Sequence, residues 1–343
     1  MVLKKKKGSK SKCLITVLLC VFNGEIWLRE CIESILNQTY KDYEFLIIDD
    51  GSNDKSLSII KEYAEIDKRI KYISHYNIGL TESLNKGLKE AKGEWIARID
   101  CDDISLPQRL ELQLNYVLTK NFGIVGCQSI IIDKKGSNKK KFFIPVKNDI
   151  IYFNLIRQKR FFSHSSVLFN KKLVLNLGGY RKCMKKAQDY DLWLRISEIS
   201  KLGCLKYFGV HIREHENRIS FNYKGIQQRI YAHCALISHI IRTKYGNKYD
   251  PLSDNSQYKF SFFFNFVSKR LEESNTLIFY EKIYDFKNNS SNFGILKNIF
   301  FIPIYFNKFD LIQKLFKWIY IGDFISKGIA KEWLELNKKT TNE

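Results

Sequence analysis

Residues 94–103 read Glu94-Trp95-Ile96-Ala97-Arg98-Ile99-Asp100-Cys101-Asp102-Asp103. A short apolar run closes on three carboxylates within four residues. Runs of this kind are expected of strands buried on both faces, as in a parallel sheet. The same grammar recurs upstream. Residues 44–48 run apolar into Asp49-Asp50-Gly51-Ser52, and residues 14–20 run apolar into a turn at Asn23-Gly24. Residues 70–74 supply a further strand. Between these strands, Ile26, Trp27, Cys31 and Ile35 recur at helical spacing, and helices are predicted over 56–65 and 80–91. Gly93 caps the last of these, and Pro107 opens another helix to about residue 118. Strand and helix alternate through short loops. The reading is an α/β fold with a mostly parallel sheet covered by helices. In such sheets ligands bind beyond the carboxyl ends of the strands, and both acidic turns fall there.

Downstream the pattern loosens. Strands are expected over 124–127, 129–132 and 142–144, with a polar turn over 134–141 (KKGSNKKK), and over 164–169. A helix opens near Gln188. Beyond about residue 221 the chain turns aromatic and rich in Lys and Asn, and reads as a helical appendage. The expected organisation is a basic disordered tail at 1–12, an α/β domain at 13–220 and a helical region at 221–343.

The 343 residues carry 57 Lys+Arg against 36 Asp+Glu, a net charge of +21. Six lysines stand in residues 1–12 without an acid, so the tail alone carries +6. No recognisable nucleic-acid module accompanies this charge, and nucleic acid is not an expected partner. An anionic membrane surface is, since a Lys near such a surface contributes about 1 kcal/mol. Phe300, Phe301, Ile304, Leu311, Leu315 and Ile319, interleaved with Lys308, Lys314 and Lys317, suit an amphipathic helix on lipid or against a partner. No apolar run reaches the ~18 residues of a membrane span. No small-residue cleavage site follows the first apolar stretch, so a secretory signal is not expected. The eight cysteines form no CxxC pair and read as core thiols of a reducing compartment. The expected location is the cytoplasm, peripheral on the inner face of the cell membrane.

Three constellations carry chemistry. Asp100, Asp102 and Asp103 crowd negative charge that must be hydrated, paired or neutralised by a cation. Hard oxygen ligands favour Mg2+ or Mn2+, which take phosphate oxygens as co-ligands. Asp49 and Asp50 can accept from a ribose hydroxyl or a base N–H. Asp189 and Asp191, at a helix start, offer a general base, and His211, Arg213 and His215 offer donors for a phosphate. Taken singly, each has an ordinary reading: a solvated turn, a helix cap, carboxylates held by a helix dipole.

Their joint order is more specific. Val17 to Asn23, Ser34-Ile35-Leu36-Asn37-Gln38-Thr39, Ile47 to Asp54, Ala91 to Asp103, Pro107-Gln108-Arg109-Leu110, His164-Ser165-Ser166, Gly178-Gly179-Tyr180-Arg181 and Gln188 to Arg195 together resemble the family 2 glycosyltransferases of the GT-A fold, over about residues 13–220. The resemblance implies inverting transfer from a nucleotide-diphosphate sugar to a glycan or lipid-linked acceptor, with Mn2+ or Mg2+, in bacterial surface polysaccharide or lipopolysaccharide assembly. It implies Cys20, Phe22, Asn23 and Asp50 at the nucleotide, Asp100 at the ribose or sugar, and Asp102 as metal ligand with Asp103 beside it. Asp189 would be the catalytic base, Arg213 and His215 would face the diphosphate, and His164, Arg181 and Gln188 would lie on the acceptor side. Two positions depart from the family pattern. Gln188 stands where an acid is usual, and Phe22 where Tyr is, keeping a stacking face without the hydroxyl.

Competing classes fit less well. A sugar nucleotidyltransferase wants a Gly-rich phosphate loop after the first strand, where this chain has CVFNGE, and a dehydrogenase wants GxGxxG there. A basic lipid- or nucleic-acid-binding module without catalysis has no need of acidic clusters at strand ends.

Overall fold

The molecule is seen in a computed structural model that describes residues 14–216, 218, 224–253, 257–274 and 325–337. The basic tail at 1–12 and the apolar and basic set between Phe300 and Ile319 lie outside the described residues. Among the described residues, nine strands form one sheet in the order β3-β2-β1-β4-β8-β6-β9-β5, with β7 paired to β6. The strands are β1 (Ile15–Val21), β2 (Tyr43–Asp49), β3 (Ile70–Ser74), β4 (Trp95–Asp100), β5 (Ile104–Ser105), β6 (Ile124–Ile132), β7 (Asn138–Phe142), β8 (Leu168–Asn170) and β9 (Leu202–Arg213). The helices are α1 (Leu28–Leu36), α2 (Ser56–Ile66), α3 (Leu80–Glu90), α4 (Arg109–Thr119), α5 (Asn148–Ile156), α6 (Lys171–Asn176), α7 (Gln188–Ile199), α8 (Lys224–Tyr245) and α9 (Gln257–Glu273).

The first four strands are parallel, as the alternation predicts. β1 and β2 are buried along their full lengths; of the two acids in β2, Glu44 is satisfied by the Thr16 hydroxyl at 2.7 Å and the Lys92 N–H at 2.8 Å, and Asp49 by the Ser74 hydroxyl at 2.8 Å and the Ser52 N–H at 3.2 Å. Burying a run of apolar side chains at ~1.5–3 kcal/mol each is what holds such a strand at the centre of a sheet. Register then aligns the carboxyl ends. Cys20 of β1 stands opposite Ile48 of β2 and Asp100 of β4, and Val21 opposite Asp49. Gln38, from the loop after α1, is fully buried. Its amide donates to the carbonyls of Ser105 and Leu106 at 3.2 and 2.9 Å and accepts the Leu110 N–H at 3.1 Å. One side chain thus ties α1 to the start of α4.

The second half corrects several sequence expectations. The strands expected over 124–127 and 129–132 are a single strand, β6, with its register shifted near Gln128 where it pairs β9. The polar stretch at 134–141 is a turn only to Ser137. Asn138 to Lys141 pair with β6 as an edge strand, where lysine stems are tolerated because one face and one edge meet water. The strand expected over 164–169 opens instead as a 3-10 turn, His164–Ser166, before β8. The twelve-residue strand β9 is absent from the sequence reading, because its apolar positions are broken by Gly203, Lys206, Gly209 and His211.

The chain divides into two units. One runs to Tyr152 and resumes from Arg160 to His215; the other takes Phe153–Lys159 and the chain from Glu216 onward. In the second unit α8 and α9 pack through Tyr231, whose ring lies 5.3 Å from Phe260 and 5.0 Å from Phe264. A helical stretch at 325–337 sets Trp333 against Phe263 at 4.8 Å. Arg242 and Asp250 form a buried ion pair at 3.0 Å, with the Ser238 hydroxyl bonded to the same carboxylate. Among the described residues no helix is long and apolar enough to cross a membrane, and the seven described cysteines are all free.

Candidate active site

The site is assembled at the carboxyl ends of β1, β2 and β4 and the end of β9. After β4 the chain turns at once, the Asp103 N–H donating to the Asp100 carbonyl at 3.2 Å. That turn aims its three carboxylates differently. Asp100 is ion-paired with Arg98, two residues back on the same face of β4 and fully buried. Asp103 is 1% exposed. One of its oxygens accepts the Arg213 N–H at 2.9 Å and the other the Ser165 hydroxyl. The Ser165 Oγ also accepts the Asp100 N–H at 3.0 Å and lies 3.0 Å from the Asp100 carboxylate. One buried hydroxyl therefore bridges two acids, and Asp103 braces the turn from inside.

Asp102 keeps its carboxylate partly exposed, at 17% of its side chain against 32% for Asp100. Its Oδ2 accepts from His215 Nε2 at 2.8 Å. The His215 ring packs on Trp27, centroids 4.2 Å apart, and its Nδ1 is buried with no hydrogen-bond partner. A carboxylate and an imidazole side by side are donor types that fit a divalent cation. Mg2+ or Mn2+ needs only one or two protein ligands when phosphates and waters complete its shell. Among the described residues no group of three His, Cys, Asp or Glu converges on an ion, so Asp102 and His215 are the pair available. Arg213 brackets this pair. Its Nε donates to the Asp102 carbonyl at 3.0 Å, one terminal nitrogen lies 3.3 Å from the Asp133 and Lys134 carbonyls, and the other pairs with Glu30.

The ends of β1 and β2 form a second wall. Asp50 is buried and accepts the Ile78 and Gly79 N–H groups at 2.8 and 3.0 Å. Gly51 makes that approach feasible. It holds φ +77°, and a Cβ there would stand 2.6 Å from the Asn77 nitrogen. Asn23, at φ 53°, is zipped to the opposite loop, donating its N–H to Ser52 Oγ at 3.0 Å and accepting the Asn53 N–H at 2.8 Å. Phe22 is 47% exposed and offers a ring face. Cys20 is buried, which pushes its thiol up to about 12; it can contribute backbone and shape but no thiolate.

The third wall is the start of α7. Asp189 is partly buried there, and its Oδ1 accepts the Tyr190 N–H at 2.8 Å. Lost hydration pushes its carboxyl up to about 6, with the Asp100 charge adding to the rise and Arg98 opposing it. Asp189 and Asp100 are thus within electrostatic reach of one another. His164 is buried 2.9 Å from the Tyr180 hydroxyl, and burial lowers it to about 3, so its ring stays neutral. Arg181 turns to Asp191 at 3.2 Å, and the same carboxylate holds Arg195 at 2.7 Å. Gln188 is buried in the first turn of α7.

Asp100, Asp102, Asp103, Arg213 and His215 are therefore bonded into one network, with Asp189 coupled to it by charge. Phe22, Asn23 and Asp50 occupy the adjoining strand ends. Sequence reasoning overlooked Arg98, Ser165, Trp27 and Glu30. Arg98 left a signal, since alternation along a strand places it on the face of Asp100, and Ser165 stands in a quoted motif without a role assigned to it.

A family model described as "Glycosyl transferase family 2" matches residues 16–178. The O-antigen biosynthesis glycosyltransferase WbnJ of Escherichia coli is 37% identical over 185 residues, covering 53% of this chain and 71% of that protein. Among solved structures, S. aureus TarS 1-349 in complex with UDP-GlcNAc is similar with a TM-score of 0.58 at 16% identity over 69% of each chain. The mannosyltransferase PcManGT from Pyrobaculum calidifontis, in complex with GDP-Man and Mn2+, is similar with a TM-score of 0.51 at 16% identity over 91% of this chain and 85% of that one. At such identity these two likenesses speak to the fold, and that fold is GT-A.

Proposed function

The chain belongs to glycosyltransferase family 2, and from that premise we propose that it transfers a sugar from a nucleotide-diphosphate donor to a hydroxyl acceptor with inversion, in the assembly of a bacterial surface polysaccharide. The observation that carries this reading is Asp189 at the start of α7, its Oδ1 held by the Tyr190 N–H at 2.8 Å where lost hydration pushes the carboxyl up to about 6 and the Asp100 charge adds to the rise. A carboxylate of that basicity is ionised at neutral pH yet takes a proton more readily than an ordinary Asp.

On this reading Phe22 stacks on the base, Asn23, Asp50 and the backbone at Cys20 hold the nucleoside, and Asp100 reaches the ribose or the sugar. Asp102 and His215 hold Mn2+ or Mg2+, with Arg213 fixing the Asp102 backbone and Asp103 fixing the turn. When bound, the cation supplies positive charge against the leaving diphosphate. His164, Arg181 and Gln188 border the acceptor. Asp189 takes the acceptor proton as its oxygen bonds to the anomeric carbon, and the bond to the diphosphate oxygen breaks on the opposite face. A single displacement inverts that centre, and no covalent nucleophile is required.

The O-antigen biosynthesis for which the E. coli relative is named supports a glycan or lipid-linked acceptor, and the donors in the two structural neighbours support a nucleotide-sugar substrate. The place of work is proposed as the cytoplasmic face of the membrane. Incubating the chain with UDP-, GDP- and dTDP-sugars, with Mn2+, Mg2+ or chelator, tests the reading. Metal-dependent release of nucleotide diphosphate from one donor class, lost in Asp189→Asn, is the expected result. Release that is equal in that variant removes Asp189 from the reaction.

A further inference from the structure

The hairpin joining β6 to β7 carries charge that the site does not use. Lys134, Lys135, Lys139, Lys140 and Lys141 are all exposed. The acids beside them are two. Glu214 stands 3.8 Å from Lys139. Asp133 turns its Oδ1 inward to accept the Lys135 and Ser137 N–H groups at 2.8 and 2.9 Å. The turn is therefore well formed, and Gly136 takes φ +88° at its tip. Lysines on an edge strand also keep that edge from pairing with another chain. That task explains β7 but leaves Lys134 and Lys135, in the turn, without a purpose.

The hairpin is tied to the acid turn. A single guanidinium, Arg213, spans from the Asp102 carbonyl at 3.0 Å to the Asp133 and Lys134 carbonyls at 3.3 Å. The charged ribbon thus begins one side chain away from Asp102. Its lysines emerge from both faces of the ribbon, since Lys140 and Lys141 are successive residues of the regular ladder. Phe143, 53% exposed, extends the ribbon with its edge against Phe208, centroids 5.3 Å apart. Dispersed cations beside an exposed ring match a plane of phosphate headgroups with an apolar layer beneath, and match a single bound anion poorly.

We infer that the β6–β7 hairpin is a docking surface for an anionic membrane, holding the Asp102 end of the sheet at the bilayer surface. The docking stands without the transfer reading. Only its consequence, that a lipid-linked acceptor is met at the headgroup level, rests on that reading.

Flotation of the full chain on vesicles tests this, with phosphatidylcholine alone set against phosphatidylcholine mixed with phosphatidylglycerol, at rising salt. The expected result is binding to the mixed vesicles only, weakening as salt screens the lysines. The variant K134Q/K135Q/K139Q/K140Q/K141Q should lose about tenfold or more in partition, while replacement of the same five by Arg retains it. Thermal melting and donor hydrolysis of the Gln variant should match the parent. Should that variant melt early, the pair K134Q/K135Q, outside the strand ladder, is read instead, with a loss of several-fold. A tail variant, K4Q/K5Q/K6Q/K7Q, measured in parallel, separates the N-terminal lysines from the hairpin. The inference is overturned if the parent does not float, floats equally on neutral vesicles, or keeps its partition in the Gln variant. Hairpin-dependent binding to soluble polyphosphate that outcompetes the vesicles overturns it too, by assigning the hairpin to a soluble polyanion.

Discussion

The carboxylate of Asp102 meets the imidazole of His215 at 2.8 Å across 113 residues of chain. Neither residue is placed there by its neighbours in sequence. Asp102 is delivered by the turn after β4, and His215 by the end of β9, which reaches the site because β9 runs parallel to β6 and closes antiparallel on β5 at Ile104 and Ser105. Arg213, two residues before His215, locks the two ends by bonding to both Asp102 and Asp103.

This pairing predicts a metal-linked loss. Asp102→Asn and His215→Ala should each weaken Mn2+-dependent nucleotide binding by about 10- to 100-fold, with little change in the chelated background. Titration calorimetry with UDP or GDP, with and without Mn2+, reads this directly. An unchanged metal response in both variants would take the pair out of the donor site.

Asp189 predicts a pH limb. A general base works only when ionised, and burial holds this carboxyl up to about 6. Turnover should therefore rise with pH through about 6 and level off above it. Asp189→Asn should keep donor binding and lose about 10²- to 10⁴-fold in transfer. Stability follows the opposite course. A carboxyl raised above its unfolded value of 3.8 costs nothing below that value, costs increasingly as pH climbs toward 6, and costs the full amount above it. The Asn variant should then melt higher than the parent at neutral pH, by on the order of 1–2 kcal/mol, and no higher at pH 3.

Arg98 couples two measurements. It is fully buried, pairs with Asp100 and opposes the rise at Asp189. Arg98→Met should destabilise the fold by about 2–4 kcal/mol, because it leaves Asp100 without its buried partner. The same substitution should move the acid limb of turnover to higher pH. A stability loss with an unmoved limb would mean that Arg98 serves the fold alone.

Ser165 holds Asp103 by a buried hydrogen bond. Ser165→Ala strands an acceptor in a dry site, at about 1–3 kcal/mol, read by urea unfolding. Since the same hydroxyl accepts the Asp100 N–H, the variant should also raise the KM for the donor more than it lowers kcat.

Much of this molecule can be read locally. Strands β1, β2 and β4 announce themselves as apolar runs, the helices between them by spacing, and the ligand side by the acids at the strand ends. Helix-forming and strand-forming patterns are set by residues a few positions apart, so a single chain displays them. The candidate acids are legible for the same reason, as each lies at the end of such a run. β9 escaped because its polar and glycine positions break the period that marks a strand, and Ser165 escaped because a hydroxyl has no pattern of its own.

The chain by itself determined the parallel α/β half, the family and the set of acids from which a site can be made. Only the tertiary structure decided their division of labour. Asp103 turns inward to Arg213 and Ser165, Asp102 pairs with His215, and Asp189 loses water within reach of the Asp100 charge. Those roles depend on desolvation and on hydrogen bonds across 62 to 113 residues, quantities fixed by strand register in space and carried by no short stretch of sequence.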